Sequence, residues 1–465
     1  MKIYNTLSGK KKRVTKKGKK KLFVCGPTVY DYAHIGHAKT YLSFDIIVKY
    51  LRSRGWDIFY LQNITDIDDK IINRANEEDK STFSLASFFE NTYYEDTRIL
   101  GIDSVDEYAK ASDFIPEIIK QIQKLERKGF TYQTSQGVYF HVKKFKNYGK
   151  LSKQKLENQE AGWRIDPDSE KKNPADFVLW KFSKTKGEPA WETPWGRGRP
   201  GWHIEDTAIT EKFFGPQYDW HGGAKDLKFP HHEAEIAQQE SASGKRPFVK
   251  VWMHTGLLTI EGEKMSKSLK NFTTIRSFLE NHEPEILRWM VISNHYRSAL
   301  PFSDKSINQA KKSLSNIKNF LNKLEIITGS KKHKLEKKPI KISSDIKKME
   351  KEFHTAMIDD FNTPKAIATI FTFINKTQSS IWSIEKDDLE KINISIRELL
   401  KSLGLEIEIS PVPPKVKALV RKRGKLRSNE QFIKADDLRK KINVLGYEVE
   451  DTPIGPMIKE KINEE

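Results

Sequence analysis

The tetrapeptide His34-Ile35-Gly36-His37 has the residue types of a phosphate-binding loop. It follows a short apolar run and precedes a segment with helical spacing, which predicts that it lies at the start of a helix. The free amides and the dipole of a helix N-terminus attract anions, so two imidazoles there can contact phosphate oxygens. Gly36 has no side chain and would let an adenine ring approach the backbone. The alternative is an exposed polar loop, but the position between strand and helix favours phosphate binding.

A second candidate for phosphate chemistry is the lysine segment Lys264-Met265-Ser266-Lys267-Ser268, which follows the last strand predicted for the sheet. Two lysines in a loop that begins with Glu261-Gly262-Glu263 can clamp a pyrophosphate leaving group, whose charge grows in the transition state. The alternative is an ordinary basic loop whose serines cap the next helix.

One predicted helix start carries side chains with metal-ligand spacing. His231 and Glu235 are four residues apart in a segment that Pro230 opens, so both project from one helix face and can chelate one metal ion. Cys25 falls at the end of the first strand, where a doubly wound sheet places its ligand groups. The alternative for His231 and Glu235 is a surface ion pair, and spacing alone leaves both interpretations open.

The elements predicted around these residues indicate a parallel sheet. Residues 22–25 form a short apolar strand, a helix runs from about residue 37 until Gly55 stops it, and 56–64 form a second strand. A helix between two strands implies a parallel βαβ crossover. Further along, the sequence predicts strands over 202–209, 218–221 and 249–258, and a helix over about 230–241.

Residues from about 80 to 195 separate these two halves and are predicted as helices followed by an irregular stretch rich in Trp and Pro. Two α/β halves split by an insertion predict a Rossmann-like, doubly wound parallel sheet with the active site at its switch point. Beyond about 305, apolar residues at bundle spacing predict an α-helical bundle, and the proline-rich stretch 410–414 predicts a linker to a small basic unit.

The composition is that of a globular protein with a heavily charged surface: the chain has 465 residues, of which 37% are hydrophobic and 31% charged. No apolar run approaches the roughly 18–20 residues needed to cross a bilayer, and the basic N-terminal stretch lacks a secretory apolar region. The single cysteine, Cys25, cannot form an internal disulfide, which agrees with a reducing compartment. We therefore expect a cytoplasmic protein without a membrane partner.

Most of the net charge of +19 is concentrated in two stretches. Residues 9–21 hold nine basic and no acidic side chains, and residues 411–429 hold seven basic and no acidic ones. Clustered positive charge is typical of proteins that bind a polyanion, most often a nucleic acid. The alternatives are a solvated helix face and, for residues 9–21, a solubilising loop.

Together, the tetrapeptide and the lysine segment resemble the paired ATP-binding motifs of class I aminoacyl-tRNA synthetases, one from each half of the sheet. The resemblance implies that His34 and His37 stabilise the phosphates of ATP and that Gly36 lies under adenine. It also implies that Lys264 and Lys267 act in the transition state, with Lys267 as the main lysine.

The resemblance narrows to the cysteinyl-tRNA synthetase family and covers nearly the whole chain. It is carried by the segments 23–31, 63–70, 199–205, 221–223, 229–235 and 359–364. That family binds zinc through two Cys, one His and one Glu, and the metal takes the thiolate of the substrate. Carried over by position, three of the ligands are Cys25, His231 and Glu235.

The fourth ligand position departs from the family pattern. Where the family has Cys directly after Trp202-His203-Ile204-Glu205, this chain has Asp206. An aspartate can bind zinc and keeps the single negative charge of the ligand, but oxygen is harder than sulfur and leaves Zn²⁺ more electron-poor. We expect Asp206 to replace the cysteine. The alternative is a structural Asp206 beside a three-ligand zinc site that water completes.

The resemblance also implies substrate contacts. Trp202 and His203 would line the cysteine pocket, while Thr65 and Asp226 would contact the substrate amine or the ribose. Trp202 as a core residue and Asp226 as a turn residue are the alternatives. Zinc suits the task because an apolar pocket separates near-isosteres such as cysteine and serine only about 10–200-fold, whereas a thiol ionises readily on a metal.

The implied reaction activates L-cysteine with Mg²⁺-bound ATP to cysteinyl-adenylate and transfers the acyl group to tRNA(Cys). We expect a monomer whose C-terminal part contacts the tRNA. The expected divisions are 1–115 (catalytic domain, first half), 116–197 (connective insertion), 198–252 (catalytic domain, second half), 253–308 (stem-contact region with the lysine segment), 309–409 (helical bundle) and 410–465 (small anticodon-binding domain).

Three other functions stay open on the sequence. A tRNA-independent ligase could use cysteinyl-adenylate to acylate an amino sugar, although such relatives lack the anticodon unit. A non-enzymatic RNA-binding paralogue is disfavoured because both phosphate-binding motifs are intact. A synthetase for another amino acid is the third, because Asp206 departs from the pattern.

Overall fold

A computed structural model describes residues 1–154, 169–184, 188–260, 263–264, 272–331, 335 and 339–461; for 263–264 only the backbone is described. The chain divides into two units. The first consists of Met1–Pro284, Asn294–Pro301 and Ile358–Phe361, and the second of Glu285–Ser293, Phe302–Met357 and Asn362–Glu465.

The first unit contains a parallel sheet, an antiparallel sheet and the helices that cover them. Its strands are β1 (Lys2–Asn5), β2 (Lys10–Arg13), β3 (Lys20–Val24), β4 (Ile58–Ile64), β5 (Glu107–Lys110), β6 (Thr131–Gln133), β7 (Gly137–Phe140), β8 (Phe177–Phe182), β9 (Gly198–Pro200), β10 (Tyr218–Ala224), β11 (Val249–Thr255), β12 (Leu258–Ile260), β13 (Glu263–Lys264) and β14 (Leu300–Pro301). Its helices are α1 (Ile35–Ser53), α2 (Asp69–Glu77), α3 (Thr82–Ile99), α4 (Ile115–Arg127), α5 (Trp202–Phe214), α6 (His231–Ser243) and α7 (Ile275–Leu279).

Five parallel strands form the main sheet, in the order β11-β10-β3-β4-β5. Strands β3, β4 and β5 come from the first half of the catalytic region and β10 and β11 from the second, so the direction of winding reverses between β3 and β10. A sheet of this kind binds ligands at such a switch point, beyond the carboxyl ends of its strands. The Rossmann-like, doubly wound fold predicted from the sequence is confirmed.

Helix α1 is the predicted crossover between β3 and β4. It begins at Ile35 because the His34 side chain caps it, accepting a hydrogen bond from the backbone N–H of His37. It therefore starts two residues earlier than its apolar spacing predicted. Beyond its end, Gly55 adopts a left-handed conformation with φ of 71°.

The prediction of a strand over 202–209 is wrong, because these residues begin helix α5. The buried side chains of α5 include Glu205 and Asp206 as well as Ile204 and Ile209. Because charged residues occupy part of the buried face, the apolar residues do not recur at helical spacing. The β-branched residues of the segment have high strand propensity, which favoured the prediction of a strand.

The insertion also differs from its prediction. Helices α3 and α4 are present, but the stretch predicted as irregular contains a four-stranded antiparallel sheet in the order β6-β7-β8-β9. Its strands have three to six residues. In strands this short, too few apolar and polar residues alternate for the two-residue period to be recognised in the sequence.

The prediction of one strand over 249–258 also differs from the structure. Strand β11 ends at Thr255, and Leu258 begins the separate strand β12.

The turn after β3 requires a glycine. A Cβ atom on Gly26 would lie 1.7 Å from the backbone oxygen of Asn63, at the end of the neighbouring strand β4. Only a residue without a side chain lets these two strand ends approach so closely.

Replacing Gly26 by Ala is expected to destabilise the protein by about 3 kcal/mol, because backbone must move to admit the methyl group. The midpoint of thermal unfolding measures this. Gly424→Ala is the matched control, because a Cβ there meets no atom within 4 Å and alanine favours the helix. Equal midpoints for the two variants would contradict the close approach.

The second unit is mostly helical. Its elements are α8 (Pro284–Ile292), α9 (Asp304–Gly329), α10 (Ser343–Met357), α11 (Thr363–Gln378), α12 (Lys386–Lys401), α13 (Pro414–Ser428), α14 (Phe432–Val444), β15 (Tyr447–Thr452) and β16 (Gly455–Glu460). The predicted α-helical bundle and the small unit after the 410–414 stretch are both present. Within the described ranges, none of the helices combines the length and the hydropathy that a bilayer crossing requires.

Candidate active site

A cavity of about 830 Å³ lies at the switch point of the main sheet. Its wall includes residues that follow β3 (25–28), the start of α1, the end of β10 and the chain after β11. The carboxyl ends of parallel strands meet at one edge of a sheet, which explains why segments far apart in sequence share this cavity.

The tetrapeptide predicted to bind phosphate lies on this wall, with His34, Gly36 and His37 all lining the cavity. The two histidines cap the helix reciprocally: Nδ1 of each accepts a hydrogen bond, 3.2 Å long, from the backbone N–H of the other. Their rings are stacked with centroids 3.7 Å apart. A neutral imidazole that accepts at Nδ1 carries its proton on Nε2, so each ring has a donor at Nε2.

The lysine segment is only partly within the described residues. The backbone of Lys264 belongs to β13 and pairs with Thr259 of β12. The side chain of Lys264 and the whole of Lys267 lie outside the described residues.

The residues predicted to bind a metal converge beside the cavity. Cys25 follows β3, Asp206 is the fifth residue of α5, and His231 and Glu235 share one face of α6. His231 Nε2 lies 3.4 Å from Cys25 Sγ, 3.0 Å from Asp206 Oδ2 and 3.2 Å from Glu235 Oε1. All four residues are buried. The alternative that His231 and Glu235 form an ion pair on the surface is therefore wrong.

The chemistry of these donors fits a zinc ion. Two ligands that are each about 2.0–2.3 Å from a tetrahedral zinc lie about 3.3–3.7 Å from one another. The separations from His231 Nε2 to the other three donors, 3.0, 3.2 and 3.4 Å, lie at or slightly below this range. Neither oxygen of Glu235 has a hydrogen-bond partner within the described part of the chain. A buried carboxylate without donors is costly unless a cation compensates it.

The electrostatics of the cluster point the same way. Burial and then the charge of Asp206 raise the pKa of Glu235, while burial followed by the charges of Asp206 and Glu235 raises the pKa of the Cys25 thiol. The charge of Asp206 thus opposes the ionisation of both Glu235 and Cys25. A divalent cation reverses this effect, because it stabilises the carboxylates and the thiolate together.

Two aromatic residues orient His231. The Trp202 ring stacks on it with centroids 4.0 Å apart, and His203 Nδ1 lies 2.8 Å from His231 Nδ1. If His231 holds a metal through Nε2, its Nδ1 carries the proton and donates to His203. Burial, followed by the charge of His231, lowers the pKa of His203, which keeps that ring neutral and able to accept.

Asp206 is oriented by Asn63, a residue for which the sequence predicted no role. Asn63 Nδ2 donates to Asp206 Oδ1 at 2.7 Å, and its Oδ1 accepts from the backbone N–H of Gly26 at 2.6 Å. The second oxygen of Asp206 is thereby directed to His231. The sequence did contain one indication of a role for Asn63. It lies near the carboxyl end of a predicted strand, where a doubly wound sheet carries its ligand groups.

The four residues predicted to contact substrate do not all line the cavity. Trp202, His203 and Asp226 do. Thr65 is buried and donates from its hydroxyl to Glu205 Oε2 at 2.9 Å, and it is not among the described residues of the cavity wall.

Two further buried histidines, His221 and His232, lie within reach of Glu235, and His232 also lies near Cys25 and His231; no role was predicted for them. His232 Nδ1 is 2.8 Å from His254 Nε2, and His221 Nδ1 is 2.6 Å from the Tyr218 hydroxyl. Burial lowers the pKa of all three histidines, so they are neutral at pH 7. Their signal in the sequence was weak, because single histidines inside apolar strands are more often core residues than ligands.

Two family comparisons place the chain among tRNA synthetases. Residues 11–312 match the family described as "tRNA synthetases class I (C) catalytic domain", and residues 352–408 match the DALR domain. The solved structures that resemble it include Mycobacterium tuberculosis methionyl-tRNA synthetase in complex with methionyl-adenylate, with a TM-score of 0.60 at 14% identity over 83% of this chain and 89% of that one. At this identity the likeness supports the fold alone.

Curated relatives are closer. A "Cysteine--tRNA ligase" of Thermoplasma volcanium is 44% identical over 444 residues, which cover 94% of this chain and 95% of the relative. One of Methanococcus maripaludis is 43% identical over 452 residues, 94% of each chain. The catalytic-domain match, these identities and the class I sheet agree with one another, and this chain therefore belongs to the cysteine–tRNA ligase family of class I aminoacyl-tRNA synthetases.

Proposed function

We propose that the protein joins L-cysteine to tRNA(Cys) in two steps and consumes one ATP. In the first, the carboxylate of cysteine attacks the α-phosphate of ATP, forming cysteinyl-adenylate and releasing pyrophosphate. In the second, a hydroxyl of the terminal ribose of the tRNA attacks the acyl carbon and releases AMP. The observation that carries this proposal is that Cys25, one of the four buried donors, lines the same cavity as the start of α1 with His34, Gly36 and His37.

In this proposal the chain binds ATP at the start of α1. The Nε2–H groups of His34 and His37 donate to phosphate oxygens, and Gly36 leaves room for the adenine. Lys264 and Lys267 neutralise the charge that develops on the pyrophosphate. Mg²⁺ enters with ATP. Because both imidazoles are already held by the helix cap, little reorganisation is needed when the nucleotide binds.

Cys25, Asp206, His231 and Glu235 would hold one zinc ion. Zinc bound there would accept the thiolate of the substrate as a further ligand, which serine cannot supply because an alcohol ionises far less readily. Trp202 and His203 would form the wall beside the substrate side chain, and Asp226 would contact its amine or the ribose. Thr65 would act through Glu205, since its hydroxyl is engaged there.

The basic stretch of the second unit supports binding of tRNA. Of its seven cations, Arg423 is buried and forms two hydrogen bonds with Asp451, each 2.8 Å long, so it has a structural role. The other six, Lys415, Lys417, Arg421, Lys422, Lys425 and Arg427, are exposed on α13. Phe432 is 54% exposed beside Arg427 and could stack on an unpaired base of the anticodon.

The division of the chain follows the same proposal. Residues 1–115 and 198–252 would supply the two catalytic halves, 116–197 the connective insertion and 253–308 the stem-contact region. Residues 309–409 would be the helical bundle and 410–465 the anticodon-binding domain. The protein would act as a monomer in the cytoplasm.

The proposed function is tested by ATP–pyrophosphate exchange measured separately with each amino acid, with zinc quantified in the same preparation. We expect exchange with cysteine only, about one zinc per chain and charging of tRNA(Cys). Exchange without tRNA charging would favour the amino-sugar ligase, and exchange with another amino acid would identify a different synthetase. A protein that binds RNA but catalyses no exchange would contradict the proposal altogether.

A further inference from the structure

Helices α5 and α6 meet along a line of buried polar side chains, which we call the α5–α6 seam. On α6, His231, Glu235 and Gln238 are spaced i, i+4 and i+7 and therefore share one helix face. On α5, the consecutive residues Asp206 and Thr207 both contact this face, through His231 and Gln238 respectively. All five side chains have 0% exposure. The candidate metal site forms one part of the seam, and Gln238 forms the part next to it.

Gln238 joins α6 to α5 through its side-chain amide. Its Nε2 donates to the backbone oxygen of His203 and, at 2.8 Å, to the Thr207 hydroxyl. These two acceptors lie on either side of Asp206 in the sequence of α5, and the His203 ring is itself 2.8 Å from His231. Gln238 Oε1 has no hydrogen-bond partner within the described part of the chain. The amide is therefore held in place by its two donor bonds across the seam.

The Thr207 hydroxyl connects Gln238 to α4. It accepts the bond from Gln238 and donates to Gln121 Oε1 at 2.6 Å. Gln121 Nε2 in turn donates to Gln239 Oε1 at 2.5 Å and to Glu211 Oε2 at 3.0 Å. A hydroxyl that accepts from one side chain and donates to another has a defined direction. Gln238 is thus bonded to a group that cannot turn away without losing a bond of its own.

The metal donors need α5 and α6 at a defined separation, because Asp206 is on one helix and His231 and Glu235 are on the other. Ligand distances in well-formed zinc sites vary by only about 0.2 Å, so a small shift between the helices would spoil the site. Gln238 lies three residues beyond Glu235, about 4.5 Å further along α6. Its bonds to α5 oppose such a shift close to the donors.

We propose that Gln238 is a positioning residue for the zinc site. By donating to the His203 carbonyl and the Thr207 hydroxyl, it holds α6 in register with Asp206 on α5. This inference rests on the proposed function, because it assigns Gln238 a role through the zinc site. Gln238 is not among the described residues of the cavity wall, so it acts through the helices and not on the substrate. Outer-shell partners of metal ligands typically contribute about 10- to 100-fold to metal affinity.

Replacing Gln238 by Met removes both donor bonds at a similar side-chain length. We expect the zinc affinity of the holoenzyme, measured by competition with a chelator, to fall about 10- to 100-fold. ATP–pyrophosphate exchange should be lost at limiting zinc and restored by excess zinc, with the KM for ATP unchanged because the start of α1 is not part of the seam. Unchanged zinc affinity would overturn the inference, as would a loss of exchange that excess zinc does not restore.

Gln239→Met is the matched control. Gln239 is the next residue of α6 and has the same side chain and the same 0% exposure, but its amide bonds to Gln121 on α4 instead of to α5. We expect this variant to lower the midpoint of thermal unfolding about as much as Gln238→Met and to keep the zinc affinity of the wild type. An equal loss of zinc affinity in both variants would show that the buried amides support the fold in general, and would overturn the positioning role.

Thr207→Val provides a second, independent variant. It removes the hydroxyl that accepts from Gln238 and leaves the bond to the His203 carbonyl, so we expect a smaller loss of zinc affinity than with Gln238→Met. Added to Gln238→Met, it should cost less than about a further 3-fold, because the two residues act through one connection. Fully additive losses would overturn the inference; if Gln238→Met does not fold, unchanged zinc affinity of Thr207→Val would do so.

The wild-type protein separates this inference from the proposed function. A wild type that binds no zinc would overturn both the proposed zinc site and the role of Gln238. A wild type that binds zinc and activates cysteine, together with a Gln238→Met protein of equal zinc affinity, would overturn the role of Gln238 alone.

Discussion

Replacement of Asp206 by Asn is expected to abolish zinc binding and, with it, the activation of cysteine. Asn keeps the shape of the side chain, and its oxygen will stay with the Asn63 amide that now donates to Asp206 Oδ1. The amide nitrogen must then face His231 and the zinc position, where a donor group cannot act as a ligand. Loss of an outer-shell partner costs about 10- to 100-fold in metal affinity, and loss of a direct ligand should cost more. Elemental analysis together with ATP–pyrophosphate exchange measures both effects.

Asp206→Cys is the informative companion to this variant. It places a thiolate at the position where the family has one, so it should retain about one zinc per chain and substantial exchange. Because sulfur is the softer ligand, its zinc should also resist a chelator longer than the zinc of the natural protein. An Asp206→Asn protein with full zinc and normal exchange would show instead that Asp206 is structural and that water completes a three-ligand site.

The main sheet could be predicted because its first half consists of short apolar strands separated by one helix, whose apolar residues recur at helical spacing in the sequence. Helix α5 could not be predicted in this way. Its buried face carries Glu205 and Asp206, so the polar residues that serve the site interrupt the apolar repeat. The error in secondary structure therefore falls on the helix that carries Asp206 of the candidate metal site, and such sites are where local preferences and function come into conflict.

Some residues of the candidate site could be predicted from the sequence and others could not. The i, i+4 spacing of His231 and Glu235 identifies one face of a helix, but only the resemblance adds Cys25 and Asp206 to it. Asn63 could not be found from spacing, because its bond to Asp206 joins residues 143 positions apart. The hydrogen bond from Lys39 Nζ to the backbone oxygen of Gly256 is equally non-local, since it spans 217 positions. Contacts of this kind depend on the order of strands in the sheet rather than on local sequence.

Replacement of His37 by Asn is expected to reduce kcat for ATP–pyrophosphate exchange about 100- to 1,000-fold, the usual effect of removing one donor from a developing anion. In the proposed function, His37 acts through two separate atoms. Its Nδ1 accepts the backbone N–H of His34 and caps the helix, while its Nε2 carries the proton that would reach a phosphate oxygen. Asn places an acceptor near the position of Nδ1 and has nothing at Nε2. It should therefore keep the thermal stability of the protein and lose the rate.

His37→Gln exchanges the two functions and serves as the matched control. Its amide reaches about as far as imidazole Nε2, so it can still donate to a phosphate, but the cap on His34 is lost. We expect a smaller loss of kcat than with Asn and a decrease in stability of about 1 kcal/mol, the typical contribution of a helix cap. The opposite pattern, with Asn active and Gln inactive, would mean that His37 serves the helix and not the nucleotide. In that case His37 would only cap the helix and would not contact ATP. His34 and the lysine segment would then have to stabilise the phosphates.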